Sequence, residues 1–236
     1  MTETTIPSQS NTGLNEKLNK LRAGVMGAND GIVSTAAVVV GVAGATSDVR
    51  AIATAGIAAV IGGAVSMALG EYVSVSSQRD TEEAIIVQEQ QLHHEDPKGE
   101  FEVLVQEYVA KGISEDTARQ VATEVTAHDA LEAHLDIHYG IDTSDIVSPW
   151  SAAIASFVAF FLGALLPLAA ILFPPENWRV PVAFVVTLLA LATTGVISAK
   201  LGGARPGRAA LRLVIGGALA LGFTFLVGLL FGETVV

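Results

Sequence analysis

An all-α membrane protein, with five transmembrane helices and a cytoplasmic helical domain inserted between the second and third, is the fold class this sequence predicts. Three observations lead there. The chain is 51% hydrophobic and only 16% charged, against roughly 25% charged for an ordinary soluble domain. Its apolar residues gather into runs long enough to cross a bilayer, which takes about 20 residues. Its charge gathers elsewhere: seventeen of the 24 acids lie between residues 79 and 145, with all five histidines and only four bases. The chain is therefore two apolar blocks around an acidic insert.

In chain order, residues 1–16 are rich in Thr, Ser and Asn with no apolar run, and read as a mobile tail rather than a signal peptide. Lys17, Lys20 and Arg22 form a basic collar ahead of a first span from Ala23 to about Thr46. The polar turn Ser47–Arg50 separates it from a second span, Ala51 to about Ser76. No proline or glycine stands between residues 71 and 95, so the second span is expected to continue as one helix into the acidic segment. The third span starts at Pro149 and Trp150, the fourth covers Val180 to Ala199, and the fifth runs from about Ala209 to Phe231. The resulting division is a tail at 1–16, spans at 17–78, an acidic helical domain at 79–147 and spans at 148–236.

Orientation follows from the bases, which favour cytoplasmic loops. Eleven of the 13 fall in the N-terminal collar, the acidic domain and the loop around Lys200–Arg212, and only Arg50 and Arg179 fall on the other side. The N-terminus and the acidic domain are thus expected in the cytoplasm and the C-terminus opposite. The short loops and the lack of a targeting segment point to a bacterial inner membrane.

Helix signals mark the acidic domain. Asp96 and Pro97 start a helix whose apolar face is Phe101, Leu104, Val105, Tyr108 and Val109. Gly112 ends it, and Ser114 begins the next, with Ala118, Val121, Ala122 and Val125 inward. Leu131 and Leu135 lie on a last segment stopped by Gly140.

Several polar residues stand where chemistry is expected. A carboxylate at the depth of Asp30 costs about 2.5–3.5 kcal/mol on insertion scales, and an ion or proton path is the usual reason to keep one. An interfacial Asp bonded to Asn29 or Ser34 is the plainer reading. Met67 and Glu71, four apart, share a helix face. A thioether beside a carboxylate suits a borderline transition ion better than Mg²⁺ or Ca²⁺. In the acidic domain Glu89, His93, Glu100, His134 and His138 are candidate metal ligands, and at α-helical spacing His134 and His138 share a face. Glu124, His128, Glu132 and Asp136 form another stripe.

Other chemistry is excluded or disfavoured. There is no cysteine, so disulfides and thiolate sites are ruled out. The net charge of −11 argues against a nucleic-acid partner. Phosphate loops, nucleophile elbows and HExxH motifs are missing, and no prosthetic group is implied, so the chain is not read as an enzyme. A ferritin-like di-iron oxidase needs paired Glu-x-x-His units, whereas Glu89 and His93 are four apart.

The first span's GANDGIVSTAAVVVGVAGA, the second's GGAVSMALGEYVSVSSQRD and the two-plus-three split of spans resemble the vacuolar iron transporter family, over roughly residues 17–232. The resemblance implies a homodimer packed largely through first spans, carrying Fe²⁺ or Mn²⁺ out of the cytoplasm against protons. It matches Asp30 and Met67 to the family's transport-path aspartate and methionine, and Glu89 and Glu100 to two glutamates of its metal-binding helices. Leu92, Val103 and His138 stand where better-known members have glutamates, His134 stands at a methionine position, and Ala59 replaces a glutamate in the second span. The expected function is proton-coupled export of Fe²⁺ or Mn²⁺ along Glu71, Met67 and Asp30. The alternative is a non-transporting, membrane-anchored metal sensor or scaffold.

Overall fold

The structure, a computed structural model, describes residues 12–141 and 148–235, with side chains from 21 to 232 outside the gap. Among the described residues every regular element is helical: α1 (Thr12–Ala45), α2 (Val49–Glu95), α3 (Pro97–Ala110), α4 (Glu115–His134), a π-turn (Leu135–Tyr139), α5 (Pro149–Leu172), α6 (Glu176–Leu201) and α7 (Pro206–Val235). Most of the stretch read as a tail, residues 1–11, lies outside the described residues, and α1 begins inside it at Thr12. The unbroken helix expected across residues 71–95 is present as part of α2.

The chain packs as two compact units. Of the described residues, one holds 18–73 with 149–235 and the other 12–17 with 74–141 and 148, so α1 and α2 each contribute residues to both.

In the first unit α1, α2, α5, α6 and α7 are each long and apolar enough to cross a membrane, and the five expected spans fall on them. Their ends are set by local chemistry. Asp48 accepts the Arg50 N–H at 2.9 Å and so caps α2. Prolines stand at or just before the first turns of α5, α6 and α7, where a missing N–H costs nothing. Arg179 donates to the Ser47 carbonyl at 3.1 Å, tying the start of α6 to the α1–α2 turn.

Small residues let these helices approach closely, as association in lipid requires. A Cβ on Gly31 would overlap the Phe160 carbonyl, one on Gly163 would meet the Ala28 oxygen at 2.5 Å, and one on Gly228 would overlap the Gly41 carbonyl. Hence α1 packs against both α5 and α7. Val39, Val40, Ile52, Ile171 and Leu221 fill the centre. Leu162, Leu189, Leu219 and Phe223 stay exposed, as lipid-facing side chains do.

The second unit is built on an α3–α4 hairpin. Asp96 caps α3 by accepting the Gly99 N–H at 2.9 Å, and Gly112 turns the chain at φ 91°. Leu104, Val105, Ala118 and Ala122 are fully buried between the helices, with Phe101, Tyr108 and Val125 around them, as the spacing predicts. Ser114 stands at the N-cap of α4, yet its hydroxyl bonds Thr117 Oγ1 at 2.9 Å instead of a backbone N–H.

Two irregularities interrupt the last helix, neither signalled by periodicity. Asp129 leaves helical geometry at φ −156°, ψ 106°, and its carboxylate accepts the Glu132 N–H at 2.9 Å, capping the helix that resumes. The π-turn then inserts one extra residue before Gly140 ends the helix at φ 66°.

Candidate functional site

Each unit carries a cluster of potential cation ligands. In the apolar unit it is an open cleft of about 440 Å³, lined by Asp30, Ser34, Ser66, Met67, Glu71 and Phe160 among others. Three consecutive residues of α1 point to three neighbours, as steps of about 100° along a helix require. Asn29 accepts the Thr194 hydroxyl of α6 at 2.6 Å. Asp30 lines the cleft, and Gly31 packs on Phe160 of α5. Of the two neighbours considered for Asp30, Ser34 is its partner, donating to Oδ1 at 2.6 Å. Asp30 remains exposed in the single chain.

Met67 and Glu71 lie one turn apart on α2 and face the same cleft. The Glu71 carboxylate, largely buried, has the Arg22 guanidinium 3.9 Å away. Ala59 also lines the cleft, so the acids there are Asp30 and Glu71. Sequence reasoning missed two participants. Arg22 read only as part of a basic collar, and Phe160, whose ring fills the space beside Gly63, looked like any apolar residue of a span.

The second unit holds a tighter group. Glu89, His93, Glu100 and His134 each offer a donor atom, and all four atoms lie within 4.8 Å of one another. Glu89 and His134 are 4% and 2% exposed, so this is an interior site and not a solvated face. The His134 ring is fixed from both sides. Its Nε2 lies 2.8 Å from the Glu100 backbone carbonyl, an acceptor only, so Nε2 carries the proton. The other ring nitrogen, Nδ1, faces Glu89 Oε2 at 3.6 Å and Glu100 Oε2 at 3.5 Å.

Both distances are too long for a hydrogen bond. They match donors around a tetrahedral ion with bonds of about 2.1 Å, which sit about 3.4 Å apart. A ring nitrogen facing two carboxylates calls for positive charge between them, a proton or a metal ion. Glu89 Oε2 and His93 Nε2 are buried without any hydrogen-bond partner, and a cation would satisfy both. The pKa of His93 is pushed below the ordinary imidazole value, first by burial and then by His134, against the pull of Glu100, Glu89 and Asp129. The neutral ring so favoured is the form that ligates. Two imidazoles and two carboxylates make a donor set for borderline divalent ions.

Of the expected ligands, Glu89, His93, Glu100 and His134 come together, and His138 does not. Its Nδ1 faces Glu107 at 3.5 Å and its ring lies against Tyr139. The reason is the π-turn. Its i→i+5 geometry displaces the residue four beyond His134 and aligns the residue five beyond it, Tyr139. That phenol donates to Glu89 Oε1 at 2.9 Å. Of the stripe Glu124, His128, Glu132 and Asp136, the last three line a different, open groove with Tyr108, and Glu124 is not part of that lining.

The family model for the VIT family matches residues 21–229. Among curated proteins, a vacuolar iron transporter of Acanthamoeba castellanii is 39% identical over 211 residues, 89% of this chain and 78% of that protein. Vacuolar iron transporter homolog 5 of Oryza sativa subsp. japonica is 36% identical across 89% of this chain and 79% of its own length. Vacuolar iron transporter homolog 2.1 of Arabidopsis thaliana is 33% identical across 87% and 78%.

Proposed function

The chain belongs to the VIT family, and on that premise we propose that it is a proton-coupled transporter moving Fe²⁺ or Mn²⁺ out of the cytoplasm. One observation carries this reading: a cleft in otherwise apolar helices sets a thioether, Met67, beside the carboxylates of Asp30 and Glu71. An anchor gains nothing from such a cleft, which disfavours the sensor or scaffold alternative. The named relatives are transporters and not enzymes, and their names support iron as cargo.

In this mechanism the acidic helical domain, residues 79–147, lies in the cytoplasm and collects the ion at Glu89, His93, Glu100 and His134. The ion then passes to Glu71, Met67 and Asp30. Protonation of the two carboxylates from the far side cancels their charge and releases it. The Arg22 guanidinium, 3.9 Å from Glu71, is the cation that the arriving ion displaces, since a carboxylate cannot serve both cations at full strength.

Homodimerisation through α1 fits the exposure of Asp30. A carboxylate left facing lipid is costly, and a partner's α1 against the Met26–Asp30–Val38 face, exposed in one chain, would enclose it. The distribution of the bases supports a cytoplasmic N-terminus. A bacterial inner membrane and the vacuolar membrane of the relatives' names both give the same direction, outward from the cytoplasm.

The test is transport in vesicles reconstituted with the full chain and loaded with a pH probe. Entry of Fe²⁺ accompanied by proton movement the other way supports the proposal. Fe²⁺ entry with no change of internal pH rejects coupling, and no metal movement at all rejects transport.

A further inference from the structure

Tyr139 has no place in the donor group, yet it holds one of its members. The phenol donates to Glu89 Oε1 at 2.9 Å, while His134 Nδ1 faces the other oxygen, Oε2, at 3.6 Å. One carboxylate is thus divided between two side chains that are five residues apart. In a regular α-helix, residues five apart diverge by about 140°, and one glutamate could not meet both. The π-turn Leu135–Tyr139 narrows that divergence. At its end the Gly140 N–H donates to the Asp136 carbonyl at 3.0 Å and the Ile141 N–H to the Leu135 carbonyl at 2.9 Å, and Gly140 closes the turn at φ 66°, a conformation glycine adopts without penalty.

We propose that Tyr139 is a positioning residue for the metal site, and that the π-turn exists to put it there. This rests on the reading of Glu89, His93, Glu100 and His134 as a cation site. With Oε1 occupied by the phenol, Glu89 presents Oε2 alone, buried and without a hydrogen-bond partner, as a one-oxygen ligand. Without the phenol the carboxylate is free to rotate and to offer both oxygens, or neither, to the ion. Outer partners that orient a ligating group commonly set metal affinity by about 10- to 100-fold. Tyr139 was not among the expected ligands because a phenol is not a typical divalent-metal donor and because α-helical spacing places it off the His134 face.

The experiment is Co²⁺ binding to the full chain in detergent, by calorimetry and by visible absorption, with wild type, Tyr139→Phe, Glu89→Ala and the double variant. Tyr139→Phe is expected to weaken binding about 10- to 100-fold and to change the Co²⁺ spectrum. Glu89→Ala leaves three donors for weaker binding. In that background adding Tyr139→Phe is expected to change affinity less than about twofold, because the phenol acts only through Glu89. Equal affinity and an unchanged spectrum in Tyr139→Phe overturn the proposal. A Tyr139→Phe penalty that persists undiminished in the Glu89→Ala background overturns it too, since Tyr139 would then be a structural residue of the domain. If wild type binds no Co²⁺ at all, the metal-site reading falls and the positioning role with it.

Discussion

The two clusters use carboxylates in opposite ways. In the cleft, Asp30 and Glu71 share an open volume with a thioether, and each already has a polar neighbour, Ser34 for one and Arg22 for the other. In the helical unit, Glu89 is enclosed, oriented by Tyr139 and left with an unpartnered oxygen. The first arrangement suits an ion that must leave, because substitutes for it are at hand. The second suits an ion that is to be caught and held, because among the described residues Glu89 Oε2 and His93 Nε2 have no other partner. Soft and hard donors divide the same way: sulfur and oxygen in the cleft, imidazole nitrogen and oxygen in the enclosed group.

Substitutions that break one cluster and spare the other test this contrast. The largest effect is expected for Asp30→Ala. Loss of a charged ligand interaction of about 3 kcal/mol corresponds to about a 100-fold fall in transport rate, measured in vesicles, with Co²⁺ binding at the enclosed group unchanged. His134→Ala is expected to do the reverse. Binding should weaken about 10- to 100-fold, seen by calorimetry, while transport at saturating metal persists.

A smaller effect concerns metal choice. Imidazole donors favour Fe²⁺ and Co²⁺ over Mn²⁺, by about 10-fold in affinity or 1.4 kcal/mol at the enclosed group. His93→Asp should narrow that gap in competition binding.

Acid should also weaken the apo protein. The folded state holds His93 below its ordinary pKa, so the unfolded chain binds a proton first as pH falls through about 6.5. Stability is therefore expected to drop from pH 7 toward pH 5, and His93→Gln should flatten that part of a thermal-unfolding series. The smallest effect is expected at Arg119. Its paired hydrogen bonds to Glu102, 2.6 and 2.8 Å, are solvent-exposed, so Arg119→Ala should leave unfolding and metal binding near wild type.

Much of this was legible from the sequence where one residue carries a local meaning. Runs of apolar residues gave the five helices able to span, Asp96–Pro97, Gly112 and Gly140 marked helix ends, and Asp30 and Met67 stood out as polar or polarisable groups in apolar runs. Legibility failed where meaning depends on register. The donor group draws Glu89 and His93 from α2, Glu100 from α3 and His134 from α4, and no local pattern states how those helices are rotated against one another. Regular α-helical spacing selected His138, because the π-turn that replaces it with Tyr139 has no strong sequence signal. Phe160 shapes the cleft only because Gly31 and Gly63 admit it, a fact of packing between helices far apart in the chain.

The division of labour between the clusters is tested most directly by Fe²⁺ uptake into vesicles across a range of metal concentrations, comparing wild type with Asp30→Ala and His134→Ala. The account predicts that His134→Ala raises the concentration needed for half-maximal uptake by about 10-fold or more with little change in maximal rate, and that Asp30→Ala lowers the maximal rate about 100-fold. Wild-type maximal uptake in Asp30→Ala, or an unchanged concentration dependence in His134→Ala, would contradict it.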